Sequence, residues 1–556
     1  MNHKYLLLFS LICCVQLSAQ NTTVVFNQSG GIKHRADVVD IDSFRITPDE
    51  KYASFSFNIG QTAVYDLSSF DSLAFVSSAS EVTPFPQKDD FISSLAESFN
   101  PSFLNIPEVI ETNTESNNYN DFVENYSSVS TITITFSEST ATVTGNYDKN
   151  LISITNSGAN VTVRSAKKYI RYVLKGKSGN GSFKIYSDYK YILELAGVDI
   201  TNPVGAAINS QSIKPCCVLL KEGTTNRLKD GLTYSMTPNE DQKGAFFSEG
   251  QLLFSGAGSL NVTSLSAHGI CSDDYIRLRS NCGPITINAG KDGISTKDYF
   301  LMYGCNLNIT SEDDGISVRK GFASINGGNI TVRSIDNGIT ADYDATDTTH
   351  IDIAGGMIDI ETTGLKGHAI TSSGRIGITG GAIKTIVNGD ASKCITSDLG
   401  MSISNLSTLL ITKGNPLYED SVADYSSAAA IRSKAALSIS NSDIKVMSIG
   451  KGGKGLNIIG DININNSKLT LVTAGESFIS GEESVRPRAI DSNNLSIVNG
   501  STVNISSSHS AVYTESNLSL TGSSMFAFTT DGSAKCLNIK GSLSQTGGLL
   551  MYGISE

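Results

Sequence analysis

Three repeats of one short pattern carry most of the chemistry visible in this sequence. Asp292-Gly293-Ile294, Asp314-Gly315-Ile316 and Asn337-Gly338-Ile339 recur at intervals of 22 and 23 residues, and Asp313 and Asp336 stand just before the second and third. If segments so spaced lie one on another as strands about 4.8 Å apart, Asp292 lies under Asp314 and Asp313 under Asp336. Four carboxylates then crowd one edge, with Asn337 beside them. Like charges at that distance cost free energy unless a partner neutralises them. One solution is Ca2+, a hard cation that takes about six to eight oxygens in flexible geometry. Its ligands would be Asp292, Asp313, Asp314, Asp336 and Asn337. The other is a solvated Asx turn, because Asp-Gly and Asn-Gly are common turn dipeptides.

Counting from the same isoleucines, a second column appears three residues later: Asp273, Lys297, Arg319 and Asp342. One residue further stand Asp274, Asp298, Lys320 and Tyr343. Alternating charges here either neutralise each other as a surface ladder, which contributes little per pair, or present Lys297, Arg319 and Lys320 to sugar carboxylates. Tyr275, Tyr299 and Tyr343 offer flat faces for sugar rings. His268 and His368 fall in the aspartate column, as metal or catalytic groups or as turn histidines with satisfied hydrogen bonds. A lyase would abstract the proton next to a uronate carboxylate with a Lys or Arg base beside a cation. Lys291, adjacent to Asp292, is the first candidate for that base, followed by Lys297 and Arg319.

These columns require elements that superpose. The anchor, a small residue followed by an aliphatic or aromatic one, recurs thirteen times, from Ala207-Ile208 to Cys536-Leu537, and the shorter intervals cluster at 22–25 residues. A fixed period with insertions, such as 414–427 and 475–487, marks a solenoid. Within each repeat apolar residues alternate with polar ones between Gly and Asn turns, which suits three short strands per repeat. The reading is an all-β fold, a right-handed parallel β-helix of about 12 or 13 coils. Ile270, Ile294, Ile316, Ile339, Ile370 and Ile395 should form one inward ladder, and Ile287, Ile309, Ile330 and Ile360 another.

Four segments follow. Residues 1–20 read as a secretory signal peptide, with an apolar run from Tyr5 to Leu17 before Ser18-Ala19. The protein is therefore expected to be secreted, periplasmic or on the surface of a bacterial cell. Cys13 and Cys14 raise lipidation, against which Ile12 is a poor preceding residue. Residues 21–80 contain a short duplication, 38–46 against 67–75, and read as a small β module. Residues 81–128, rich in Pro, Asn and acids, read as a linker with a short helix near 90–99, and 129–556 as the β-helix. The C-terminal segment 540–556 reads as closing the helix without a separate domain. Seven cysteines remain after the leader, an odd number without Cys/His metal spacing. Cys394 and Cys536 replace Gly or Ala of other repeats and read as small buried residues. The net charge of −12 argues against nucleic acid and anionic membrane surfaces. No segment after the leader is apolar enough to span a bilayer.

The strings LAGVDITNPVGAAIN, VLLKEGTTNRLKDG, KGAFFSEGQLLFSGAGSLNV, HGICSDD, KDGISTKD and DDGISVRKG resemble the bacterial carbohydrate-binding β-helix family, which is similar to pectate lyases in architecture. The resemblance covers roughly residues 130–400. It implies binding of plant cell-wall polysaccharide, cellulose or acidic sugars such as polygalacturonate, with bound Ca2+. The expected function is a non-catalytic, calcium-dependent polysaccharide binder. The alternatives are a pectate-lyase type of enzyme, a polygalacturonase-like hydrolase and a surface adhesin or rigid rod. The hydrolase is disfavoured because Asn-Thr-Asp and Gly-His-Gly strings are missing. The absence of Trp lowers cellulose relative to acidic glycans. The oligomeric state is not legible.

Overall fold

Segments such as Asn306–Ser311 and Asn329–Ser334 alternate exposed or half-buried polar residues with buried aliphatic ones, the pattern of strands with one face in a core. Each is too short to bury that face alone, so stability depends on stacking. The computed structural model describes residues 23–28, 33–47, 49, 51–76, 83–96, 111, 119–127, 130–235, 237–344 and 348–554. The expected signal peptide, including Cys13 and Cys14, lies outside the described residues. The chain packs as two units, 100–408 and 1–99 together with 409–556.

In the unit 100–408 the coils from Ile208 onwards each contribute three short strands. Ile294–Thr296, Tyr299–Met302 and Asn306–Ser311 are followed in the next coil by Ile316–Val318, Phe322–Ile325 and Asn329–Ser334. Every strand pairs in parallel with its counterpart one coil on. The predicted inward ladder Ile270, Ile294, Ile316, Ile339, Ile370 and Ile395 pairs residue on residue, and all six are fully buried. Each contributes roughly 1.5–3 kcal/mol by burial. The second predicted ladder needs a correction. Ile287, Ile309, Val332 and Ile360 form one column, whereas Ile330 belongs to the column Ile285, Leu307, Ile330 and Ile358. Alternation with period two fixes which face a residue takes, but not a register shift of two. Antiparallel hairpins, Ser130–Ser137 with Thr140–Thr144 and Ile152–Ser157 with Ala159–Ser165, precede the parallel coils.

The thirteen anchors all fall on one series of strands. Two further strands, Ala159–Ser165 and Gly181–Ser187, precede them in that series. The expectation of 12 or 13 coils missed these two because Asn160 and Ser182 stand where the thirteen anchors carry Gly, Ala or Cys.

In the other unit, parallel coils fill 409–554. Thr23–Gln28 pairs antiparallel with Lys33–Asp37 and with Phe70–Val76. Ile41–Ile46, Tyr52–Phe57 and Gln61–Asp66 form an antiparallel meander. The last strand, Leu549–Ile554, lies parallel to Ser524–Thr529 and antiparallel to Gln61–Asp66. Phe26, Phe55, Tyr65 and Phe85 share a core with Phe526, Phe528, Leu549 and Met551. The C-terminal segment therefore does not close the helix by itself: the N-terminal module pairs with the edge strand and covers the final coil. The helix Lys88–Ala96, close to the expected 90–99, packs Leu95 against Leu409 and Val472 and stacks Phe91 on Phe528.

The glycine of the repeated motif answers to crowding, not to turn conformation. Gly293, Gly315 and Gly338 are not among the positive-φ residues. A Cβ on Gly315 would stand 2.4 Å from Val332 Cγ1 and 2.5 Å from the carbonyl of Gly338. Its amide donates to the Asn337 carbonyl at 2.8 Å. The backbone of each coil thus closes directly on the next.

The segment 119–126 lies across the outer face of the strand Ile276–Leu278. Arg277, fully buried, donates to Glu111 Oε1 at 2.6 Å and to Asp121 Oδ2 at 3.0 Å. Arg279 donates to Glu124 at 2.7 Å, and the Phe122 ring lies against both guanidinium groups.

Two outcomes follow. Gly315→Ala should cost roughly 1–3 kcal/mol by overpacking, read as a lowered Tm, whereas Ser317→Ala on the outer side should change stability by less than about 0.5 kcal/mol. Arg277→Met should cost roughly 3–5 kcal/mol because Asp121 is left buried without its cation and Glu111 keeps only the 3.6 Å contact to Arg279. Adding Glu111→Gln and Asp121→Asn should restore part of that loss in the same melt, and an unchanged Tm in the single variant would contradict the assignment.

Candidate functional site

The corner that precedes the short inward strands gathers the acids. Asp313, Asp314 and Asp336 place carboxylate oxygens within 4.8 Å of one another. At an effective dielectric of about 20, each such pair repels by roughly 3 kcal/mol before solvent screening, and by less for exposed Asp313. Among the described residues none of the three forms an ion pair. Burial, followed by the charge of Asp292, pushes the Asp314 carboxyl up to about 7. The same two causes raise Asp313, and burial with Asp313 and Asp292 raises Asp336. Asp292 is buried behind them, its Oδ2 3.2 Å from His268 Nδ1.

Asn337 has a different task. Its backbone and side-chain N–H groups both donate to Asp314 Oδ1, at 3.0 and 2.9 Å. Its own Oδ1 accepts from the His368 amide at 2.9 Å, and His368 Nδ1 accepts from the Lys393 amide at 3.1 Å. Burial, then the charges of Lys393 and Lys366, lower His368 to about 3. It is a neutral acceptor in a ladder, with its hydrogen bond satisfied. The donor set that suits a hard cation is Asp313, Asp314 and Asp336, with Asp292 adding negative charge behind them.

A groove of about 610 Å³ runs beside this corner. Ser311, Glu312, Ser334 and Ile335, the residues immediately before Asp313 and Asp336, line it with Arg333 and Glu361. Lys291 is exposed nearby, and its charge acts on Asp313.

At the other end of the same short strands the charged column is largely neutralised. Arg319 Nη2 donates to Asp273 Oδ1 at 2.7 Å, reaching across the intervening coil of Lys297. Lys243 donates to Asp273 and, at 2.7 Å, to Asp241. Although burial opposes it, the two cations hold Asp273 below the usual range, while burial, Asp273 and Asp241 raise Glu249. Asp241, Glu249 and Asp273 approach within 4.8 Å. Glu249 was legible: it stands three residues after Phe246, one coil before Asp273 in the same column. Asp241 and Lys243 come from the insertion before that anchor and carry no periodic signal. Lys297 is half-buried, and Lys320 is exposed with its Nζ 5.7 Å from the Tyr343 ring centre.

The tyrosines do not present faces as expected. Tyr275 and Tyr299 stack at 4.3 Å, Tyr299 and Phe322 at 5.1 Å, and Phe322 and His350 at 4.7 Å. Their faces cover each other, and Tyr275 Oη donates to Asp121 at 2.7 Å. Tyr343 lies outside this ladder and is 56% exposed. The seven described cysteines are all buried, Cys394 and Cys536 included, and form no disulfide with one another.

The raised Asp314 fixes a pH response of the metal-free protein. The folded state holds a proton that the unfolded chain releases at its ordinary value of 3.8. Stability is therefore fullest below that value and declines as pH rises towards about 7. Asp314→Asn should flatten this decline between about pH 4 and 7, measured by denaturant melts in chelator; an unchanged slope would contradict the assignment.

The chain resembles in part a solved structure, a polysaccharide lyase-like protein from C. thermocellum. The two are 23% identical, the match covers 42% of this chain and 91% of that one, and the TM-score is 0.37. No curated protein matches the chain. Residues 148–476, which hold the acidic corner, its groove and the charged column, match the family of carbohydrate-binding domain-containing proteins, and the chain belongs to that family.

Proposed function

We propose that the protein is a secreted, non-catalytic binder of acidic polysaccharide, of the polygalacturonate kind, that engages its glycan through Ca2+ at the acidic corner. The observation that carries this reading is the set Asp313, Asp314 and Asp336, brought within 4.8 Å with no cationic side chain paired to them among the described residues. Asp313, Asp314 and Asp336 would hold the Ca2+, which would supply positive charge for a sugar carboxylate. The adjoining groove holds the neighbouring sugar units, with Glu312, Arg333 and Glu361 as polar contacts along its wall. Cellulose fits less well, because the aromatic ladder offers ring edges where a crystalline glucan needs faces.

Binding is favoured over lyase chemistry by the placement of the bases. A lyase needs a Lys or Arg desolvated beside the cation. Lys291 is exposed, while Lys297 and Arg319 stand at the opposite ends of the strands, Arg319 already holding Asp273. The leader-like residues 1–20 support delivery across a membrane.

Calorimetry should detect calcium uptake that Asp314→Asn combined with Asp336→Asn weakens by at least about tenfold. Affinity electrophoresis should show calcium-dependent retardation by pectate in the wild type alone. Polygalacturonate incubated with protein and Ca2+ should develop no absorbance from unsaturated uronate. Growth of that absorbance, abolished by Lys291→Ala, would replace the binder with a lyase.

A further inference from the structure

The column two residues before the anchor changes sign along the chain. In the unit 100–408 it reads His268, Asp292, Asp314, Asn337, His368 and Lys393, whereas in the unit containing 409–556 it reads Ala429, Lys454, Arg488, Ser510 and Lys535. Lys454 and Arg488 share one acid, Asp491, at 3.1 and 2.8 Å. Beside them a pocket of about 580 Å³ is lined by Arg486, His509, Lys535, Asn538 and Lys540. None of Arg486, Lys535 and Lys540 forms an ion pair among the described residues. Asp531, the acid of the pocket, spends Oδ1 on the amide and hydroxyl of Ser533. The pocket is thus electropositive in a chain whose net charge is −12. The lowered His509, to which burial and then the charge of Arg486 contribute, agrees with that potential.

The pocket also has a built wall. The insertions noted in the sequence fold as two hairpins, Leu417–Glu419 with Asp424–Ser426 and Phe478–Ser480 with Glu483–Val485. They hold each other: Tyr425 lies 5.2 Å from both Tyr418 and Phe478, and its hydroxyl donates to Ser480 Oγ at 2.7 Å. The second hairpin supplies Ile479 and Ser484 to the pocket, and Ser477 and Arg486 flank it. Ile479 is 73% exposed at the rim, an apolar surface suited to the C–H face of a sugar. Insertions repeated on one face of a solenoid commonly build its binding surface.

We infer that this pocket is a second, cation-independent glycan subsite in which Arg486, Lys535 and Lys540 hold the carboxylate or sulfate of an anionic sugar. Fixed cations take over the task that the acidic corner would give to calcium, and guanidinium and ammonium donors form charge-assisted hydrogen bonds with such oxyanions. The inference rests on the reading of the chain as an anionic-glycan binder, but not on its calcium.

The test titrates the full mature chain, in excess EDTA, with tetragalacturonate, a sulfated chondroitin tetrasaccharide and cellotetraose. At least one anionic probe should bind and the neutral one should not, the responding probe telling carboxylate from sulfate. Arg486→Ala with Lys535→Ala, both exposed positions, should weaken that binding by roughly tenfold or more with an unchanged melting curve. No anionic binding in EDTA, equal binding of cellotetraose, or an unaffected double variant would overturn the inference. With calcium restored, Asp314→Asn with Asp336→Asn should lose only the calcium-dependent part. Survival of chelator-resistant binding without any calcium-dependent part would sink the proposed function and leave this subsite standing; the reverse pattern would sink the subsite alone.

Discussion

The structure depends on one constraint: each coil closes its backbone hydrogen bonds on the coil beside it, at the spacing of adjacent strands. The bond from the Gly315 amide to the Asn337 carbonyl, and that from Gly338 to His368, both at 2.8 Å, show the constraint at its tightest. There is no space at these positions for a β-carbon. The inward columns consequently hold aliphatic side chains that interdigitate, and small residues are forced on the corner. The same closure brings outward side chains of successive coils into contact whether or not their chemistry agrees. Asp-Gly at 292–293 and 314–315 is therefore the record of a close backbone approach, although the same dipeptide elsewhere marks a left-handed turn.

Columns of polar residues meet this enforced proximity in different ways. Asn337 and His368 relay hydrogen bonds from coil to coil and carry no charge. Asp273 sits between Lys243 and Arg319, and the acid is held ionised. The aromatic column from Tyr275 to His350 removes water from ring faces by stacking. Asp313, Asp314 and Asp336 repel one another at the corner and form no ion pair among the described residues, and Asp314 and Asp336 are partly buried as well. In the metal-free protein the raised Asp314 carboxyl relieves part of this repulsion by holding a proton.

Much of the fold was legible because a solenoid writes its tertiary contacts into its period. Ile270 through Ile395 were paired correctly from the text alone, and all thirteen anchors lie on one series of strands. The failures have physical reasons. Ile330 was misassigned because alternation is blind to a shift by two. The strands 159–165 and 181–187 lack the corner glycine or alanine on which the period was read. Tyr275 and Tyr299 were expected to offer their faces to ligand because a column seen in sequence does not tell whether rings turn towards solvent or towards each other. The contribution of Glu111 and of residues 119–126 was invisible: Glu111 and Asp121 are 166 and 156 residues from Arg277, and nothing periodic links them.

The same logic explains why the site had to be read column by column. A residue type repeated at one corner does not define a ligand by itself, since the corner column carries histidine, aspartate, asparagine, lysine and arginine in turn. What differs is the company each keeps in adjacent coils. Lysine at 454 and arginine at 488 are drawn to a single shared acid, whereas aspartates at 313, 314 and 336 face one another and form no ion pair among the described residues. A uniform backbone repeat thus separates two electrostatic environments along one chain.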